Sequence, residues 1–297
     1  MALPAYGNLD SETRRQCMCC WSDLLGFRPG LDHARYSSDE ELRLGIERLR
    51  LLQISVSESL MSHEMHVETA LIVNDGVART LDYVTEHGVT FHLSWLARIL
   101  RTHNAVNATE AQCGHPGIRS VLVAGERSTH GPGDQTQQDI WRRQSSRDVI
   151  DDPNDLFTAQ FAQRTPVYNP LEFQLNLAFA KAYLIESKGA KVGLTGARFF
   201  IHESVLDFFD GLPYQDNISW HGDPVSTVVD VDDNAVAGYR YVRIGPPIDR
   251  TDWIKARGDS DISCPVGLPS MVMLLDKHPT MVDGQSVWSV ERFSPYP

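Results

Sequence analysis

Ser38-Asp39-Glu40-Glu41 opens a segment that has few options other than an amphipathic helix. Ser38 and Glu41 form a capping box, and the acidic side chains stand at the positive end of the helix dipole. Leu42, Ile46, Leu49, Leu52, Val56 and Leu60 then recur every three or four residues, one apolar stripe about five turns long. Such a stripe has to be covered by another element, so this chain needs helices packed on something. The same period predicts a helix near Val77–Glu86, closed by Gly88, and a third near Phe91–Thr102 with Leu93, Leu96 and Leu100 on one face.

Around this helical region, 37–104, the pattern changes. Residues 1–36 read as an N-terminal arm, punctuated by Pro4, Gly7, Gly26, Pro29 and Gly30, with Trp21, Leu24, Leu25 and Phe27 to dock it. Residues 105–165 read as a long extended loop broken by Gly114, Pro116, Gly117, Gly131, Pro132, Gly133 and Pro153, with one strand at Ser120–Ala124. Residues 166–297 read as a mixed α/β core. It has helices at Leu171–Glu186 and Val205–Phe209, and strands at Arg198–Ile201, Val225–Val231, Tyr239–Ile244, Met271–Leu275 and Val287–Phe293. The fold class expected is α+β.

Charge and cysteine usage narrow the function. The 297 residues carry a formal net charge of −12, which argues against a surface built to neutralise phosphates, so no sequence-specific nucleic-acid partner is expected. No run approaches the roughly 18 apolar residues of a membrane span, and Met1–Asp10 lacks the pattern of a secretory signal. Neither a membrane partner nor standard export is expected. Five cysteines, at positions 17, 19, 20, 113 and 264, show no disulfide-framework spacing and suit a reducing compartment. Cys17-Met18-Cys19-Cys20 has no second pair to complete a zinc site, and buried thiols are the plainer account.

The best metal candidate is the His/Glu cluster at 58–68, comprising Glu58, His63, Glu64, His66 and Glu68. His63 and His66 can share a helix face, yet a zinc-protease H-E-x-x-H would need histidine at position 67, which is Val67. Asp230, Asp232 and Asp233 offer oxygens to a hard cation, though a solvated turn explains them equally. Gly189, Gly193 and Gly196 fit neither a dinucleotide fingerprint nor a Walker loop and read as a helix cap and turn; His202 reads as a satisfied core histidine. Trp141-Arg142-Arg143 with Arg147 is a small basic cluster suited to an interchain contact. No nucleophile elbow occurs, so no catalytic residue and no cofactor is assigned.

The order helix, Ser187-Lys188-Gly189, turn, Gly196-Ala197-Arg198-Phe199-Phe200-Ile201, His202-Glu203-Ser204-Val205, then Leu206-Asp207-Phe208-Phe209 resembles a stretch of tailed-phage major capsid proteins with the HK97-like fold. That resemblance covers about a quarter of the chain. It implies a self-assembling capsid subunit of a virion, a homo-oligomer joined through the 1–36 arm and the 105–165 loop and bound to other virion proteins. The alternatives are a cytoplasmic metal-dependent enzyme using His63 and His66, and a phage connector or tail component.

Overall fold

A computed structural model describes residues 13–27, 39–59, 68–83, 88–129, 173, 175–210, 218–221, 228–229, 235–236, 239–244, 271–276 and 278–295. Strand β1, Thr13–Leu24, is interior to the sheet, because its side chains alternate between two apolar layers. Met18 and Cys20 point into one, Cys17, Cys19 and Trp21 into the other. A strand covered on both faces needs a near-continuous apolar run, and Cys17-Met18-Cys19-Cys20 supplies one with every residue at 0–1% exposure. Residues 13–24 are therefore the heart of a sheet, where the sequence predicts a docking arm over 1–36.

Helix α1, Asp39–Ser59, lies where the stripe predicts it, although the residues it buries are Arg48, Leu52 and Val56 while Leu42 and Ile46 stay exposed. Strands β2, Glu68–Val73, and β3, Gly76–Asp82, form a hairpin through Asn74 and Asp75, with Asn74 at φ 52°. The helix expected over Val77–Glu86 is therefore strand as far as Asp82, and all seven residues of β3 are buried. Helix α2, Gly88–Gln112, covers the helix expected near Phe91–Thr102 but opens at Gly88, the glycine expected to close the preceding helix, and runs on through residues assigned to the loop. Strand β4, Ile118–Thr129, is likewise longer than the Ser120–Ala124 expected within that loop.

These elements form a βαββαβ unit with strand order β2-β3-β1-β4, antiparallel throughout, the ferredoxin-like arrangement. The sheet continues to β5, Phe199–His202, which runs parallel to β4. Beyond β5 lie β12 (Gln285–Pro295), β10 (Met271–Asp276), β9 (Tyr239–Ile244) and β6 (Ile218–His221); β11 (Thr280–Val282) pairs with β12. Two short strands, β7 (Val228–Val229) and β8 (Ala235–Val236), pair separately. Helix α3, Leu177–Lys188, covers one face of β1 and β4, while α2 and α4, Glu203–Asp210, cover the other. The α+β class holds.

Two helix ends explain local sequence. Asn176 caps α3 by accepting from Phe179 N at 2.8 Å. Gly189, Gly193 and Gly196 all take positive φ, the helix cap and turn that their spacing suggested. Among the described residues no helix is long and apolar enough to cross a membrane.

Candidate functional site: a carboxylate cluster at the C-terminal end of β1

The even residues of β1 face α2 and α4 and the odd ones face α3, so Asp23 continues the Cys17, Cys19, Trp21 series and points to the α3 side. In register it stands between Gly76 on β3 and Arg119 on β4. The β2–β3 turn brings Asp75 alongside, with the Leu24 amide donating to the Asp75 carbonyl at 3.0 Å. Gly76 is needed at this crossing because a Cβ there would meet the Trp21 indole. From α3 comes Glu186, whose carboxylate accepts from Arg119 Nε at 2.9 Å and Nη2 at 2.5 Å. Arg119 Nη1 also donates to the Leu194 carbonyl at 2.9 Å, so this guanidinium is tied to two elements.

The electrostatics of the cluster are lopsided. Burial, then the charges of Glu186 and Asp75, push the Asp23 carboxyl up to about 7, against a smaller pull downward from Arg119. Among the described residues no side-chain hydrogen bond or ion pair reaches the Asp23 carboxylate. Oxygen donors with surplus negative charge suit a hard divalent cation, and adjacent carboxylates are the usual protein share of a Mg²⁺ site, with water and substrate phosphates completing it. Among the described residues no group of three or more His, Cys, Asp or Glu is placed to hold a metal ion by itself, so the fit is to such a shared site and not to a closed cage.

Aromatic side chains border the cluster. Trp21 packs edge-on to Tyr183, centroids 5.4 Å apart, and tilted to Phe179 at 6.0 Å, with Tyr183 half exposed on α3.

The sequence candidates fare differently. In the His/Glu cluster at 58–68, Glu68 belongs to a buried ion pair with Arg79 at 2.6 Å, Glu58 is exposed at the end of α1, and His63, Glu64 and His66 lie outside the described residues. Asp230, Asp232, Asp233 and the Trp141–Arg147 cluster also lie outside them. Cys17, Cys19 and Cys20 are free thiols; burial raises all three, Cys17 and Cys20 to about 12, so they are protonated and poor ligands. His202 is fully buried and its Nδ1 accepts from the Ser204 amide at 3.0 Å, a core histidine lowered to about 4, chiefly by burial. Asp23 and Asp75 were invisible to motif reading because they are far apart in sequence. The usable signal was Val73-Asn74-Asp75-Gly76, a hairpin turn flanked by β-type residues.

No family model and no curated protein matches the chain. Among solved structures it is similar to the guanylyl cyclase Cya2, at 15% identity over 94% of this chain and 92% of that one, with a TM-score of 0.35. A bacterial light-regulated adenylyl cyclase matches at 11% over 70% and 83%, TM-score 0.34. The catalytic core of a rhodopsin-guanylyl cyclase with converted specificity, in complex with ATPalphaS, matches at 10% over 80% and 99%, TM-score 0.34.

No capsid protein is among these neighbours, and the capsid expectation is corrected together with its virion location. The features that suggested it have a local cause. Phe199-Phe200-Ile201 is apolar because β5 sits mid-sheet with both faces covered, and the helices on either side of it, α3 and α4, are its cover.

Proposed function

We propose that this chain is a divalent-cation-dependent enzyme of phosphoryl or nucleotidyl transfer, acting on a nucleoside triphosphate, with Asp23 and Asp75 as the cation's protein ligands. The observation that carries the reading is the charge surplus at the end of β1. Asp23 feels the like charges of Glu186 and Asp75, and the one guanidinium acting on it among the described residues, Arg119, is engaged by Glu186. A divalent cation relieves this repulsion, and its bound form supplies charge neutralisation for phosphate oxygens.

The residues divide the remaining work. Asp23, rigid within the sheet, and Asp75, on the hairpin turn, present carboxylates from two adjacent strands. Arg119 holds Glu186 and the Leu194 carbonyl, which fixes α3 against the site. Burial of Asp23 keeps the carboxylate poorly hydrated and strengthens its hold on a cation. Because a proton competes with the cation at a carboxyl near 7, affinity should rise as the pH is raised through neutrality.

Cyclic nucleotide formation, the activity named for the solved structures above, is the first reaction to assay. Self-association belongs to the same proposal and is supported by the exposed apolar Leu175, Leu177 and Leu184 at and along α3. Light scattering on the eluting protein tests it, a monomer at all concentrations being the adverse result.

The decisive experiment is Mn²⁺ titration followed by electron paramagnetic resonance on the wild type, Asp23→Asn and Asp75→Asn, with chromatography of nucleoside triphosphate incubations alongside. Binding should weaken by more than about tenfold in either variant, with loss of any nucleotide product. Unchanged Mn²⁺ binding in both folded variants sinks the reading.

A further inference from the structure

Behind Asp23, on the opposite face of the same strands, lies a chain of uncharged polar groups, in a layer that is otherwise apolar beside it but also holds the buried Arg79–Glu68 pair next to Cys20. Ser22 and Ser120 are cross-strand partners, immediately next to the Asp23 and Arg119 pair. Their hydroxyls are 2.7 Å apart, and the Ser120 hydroxyl lies 2.9 Å from His103 Nδ1. On the far side of the ring, His103 Nε2 is 2.9 Å from the Asn107 amide nitrogen. His103 is 4% exposed and its ring meets Phe199 edge-on at 5.4 Å, which locks its plane.

The chain has only one consistent direction. Asn107 Oδ1 accepts from the Ile118 amide at 2.6 Å, so its nitrogen must be the atom facing the ring. An amide N–H there makes Nε2 an acceptor and places the imidazole proton on Nδ1. Nδ1 then donates to Ser120, and Ser120 donates to Ser22. Among the described residues the last hydroxyl proton faces the Cys20 sulfur, at 3.8 Å. The Asn107 amide nitrogen also lies 3.2 Å from the Ile118 carbonyl and 3.3 Å from that of Ala197, its second proton shared between them, so the chain is anchored where β4 begins and beside β5. Burial pushes His103 down to about 4, so the ring stays neutral and its tautomer is fixed at neutral pH.

We propose that His103 is a positioning residue: through Ser120 and Ser22 it fixes the spacing and register of β1 and β4 at the point where they carry Asp23 and Arg119. An apolar pair at 22 and 120 would close the layer equally well. A directed hydrogen-bond chain adds a defined length and angle between the strands, which a soft apolar contact does not. The inference rests on the reading of Asp23 as a cation ligand for its functional meaning, but not for its geometry.

The test uses the full chain and two independent readouts. Without metal, nuclear magnetic resonance reads the His103 tautomer and the Arg119 Nε–H signal, assigned with Arg119→Lys. Mn²⁺ titration then gives the dissociation constant. The ring should carry its proton on Nδ1. Ser120→Ala and His103→Gln should move the Arg119 signal and weaken Mn²⁺ about tenfold, a loss of about 1.4 kcal/mol. His103→Asn, which keeps a donor near the Nδ1 position, should preserve both. Should Ser120→Ala fail to fold, Ser22→Ala at a partly exposed position breaks the same link. A proton on Nε2, or an unmoved Arg119 signal in the folded variants, overturns the proposal. Wild-type protein that shows no Asp23-dependent Mn²⁺ binding while the Arg119 signal still moves overturns the enzyme reading and leaves the positioning role standing.

Discussion

The two ends of β1 on the α3 face hold charges in opposite balance. At the N-terminal end, Arg127 donates to Asp82 through Nε at 2.6 Å and Nη2 at 2.5 Å, and Arg15 stands 3.5 Å from the same carboxylate. Among the described residues the Asp82 carboxylate is neutralised by the Arg127 guanidinium, with the half-exposed Arg15 beside it. At the C-terminal end, among the described residues, Asp23 feels the charges of Asp75 and Glu186 against one base, Arg119, which is bound to Glu186. A neutralised buried pair is what a fold keeps for cohesion, since losing either partner strands the other. An end with surplus negative charge gains nothing for folding, which is why we assign the chemistry there.

The largest expected effect breaks the balanced end. Arg127→Leu leaves the Asp82 carboxylate, among the described residues, with the partly exposed Arg15 alone and should cost about 3–5 kcal/mol in chemical denaturation. Asp23→Asn at the unbalanced end should be neutral or stabilising at pH 8 while removing cation binding. Equal destabilisation by both substitutions would mean that the two ends are alike.

Next in size is the backbone behind the site. Gly117 has φ +88°, and a Cβ there would meet Asn107 Oδ1 and lie 2.9 Å from Ala197 Cβ. Gly117→Ala should cost about 1–3 kcal/mol and weaken Mn²⁺ with it, because Asn107 anchors the His103 chain. A melt that falls while Mn²⁺ binding holds would separate the two faces of the sheet.

How far these ends were legible in the sequence follows from their physics. Helix α1 and strands β9, β10 and β12 announce themselves through period and composition, since each is either half-exposed or rich in β-formers. β1 and β3 do not. A strand buried on both faces loses its alternation, so Cys17–Cys20 carried no period-2 signal and Gly76–Asp82 passed for helix. The balanced end was unreadable because Arg15, Asp82 and Arg127 come from three strands. The unbalanced end was half readable: Asn74-Asp75-Gly76 is a hairpin turn in plain sequence, but nothing in it points to Asp23, which only the register brings near.

A smaller effect concerns the helix that joins the ends. Asn176 is 3% exposed; it caps α3 and its amide donates to Thr80 Oγ1 at 3.2 Å, close to the balanced end, whereas Glu186 lies at the other end of the same helix. Asn176→Ala should cost about 0.5–2 kcal/mol and leave Mn²⁺ binding unchanged. Weakened Mn²⁺ binding would mean that α3 transmits strain along its whole length.

The smallest expected effect is a shallow rise of stability with pH, in which one falling slope is set against two rising ones. His103 is lowered to about 4 in the fold from an ordinary 6.5, so the unfolded chain binds the extra proton between those values and stability rises with pH there. Asp23 is raised to about 7 from an ordinary value near 4, so the folded chain binds the extra proton and stability falls as pH rises across nearly the same window. Each slope is at most about 1.4 kcal/mol per pH unit, and with opposite signs they largely cancel. Removing one group should expose the other. Asp23→Asn should steepen the gain in stability from pH 4 to 6.5, and His103→Asn should flatten it over that range, both read by denaturation at stepped pH. The difference between the two variants matters more than either curve, because His202, also lowered to about 4, adds the same rising slope to both. Parallel curves for the two variants would show that neither Asp23 nor His103 titrates as its burial requires, and the contrast between the two groups on opposite sides of β1 would fall with them.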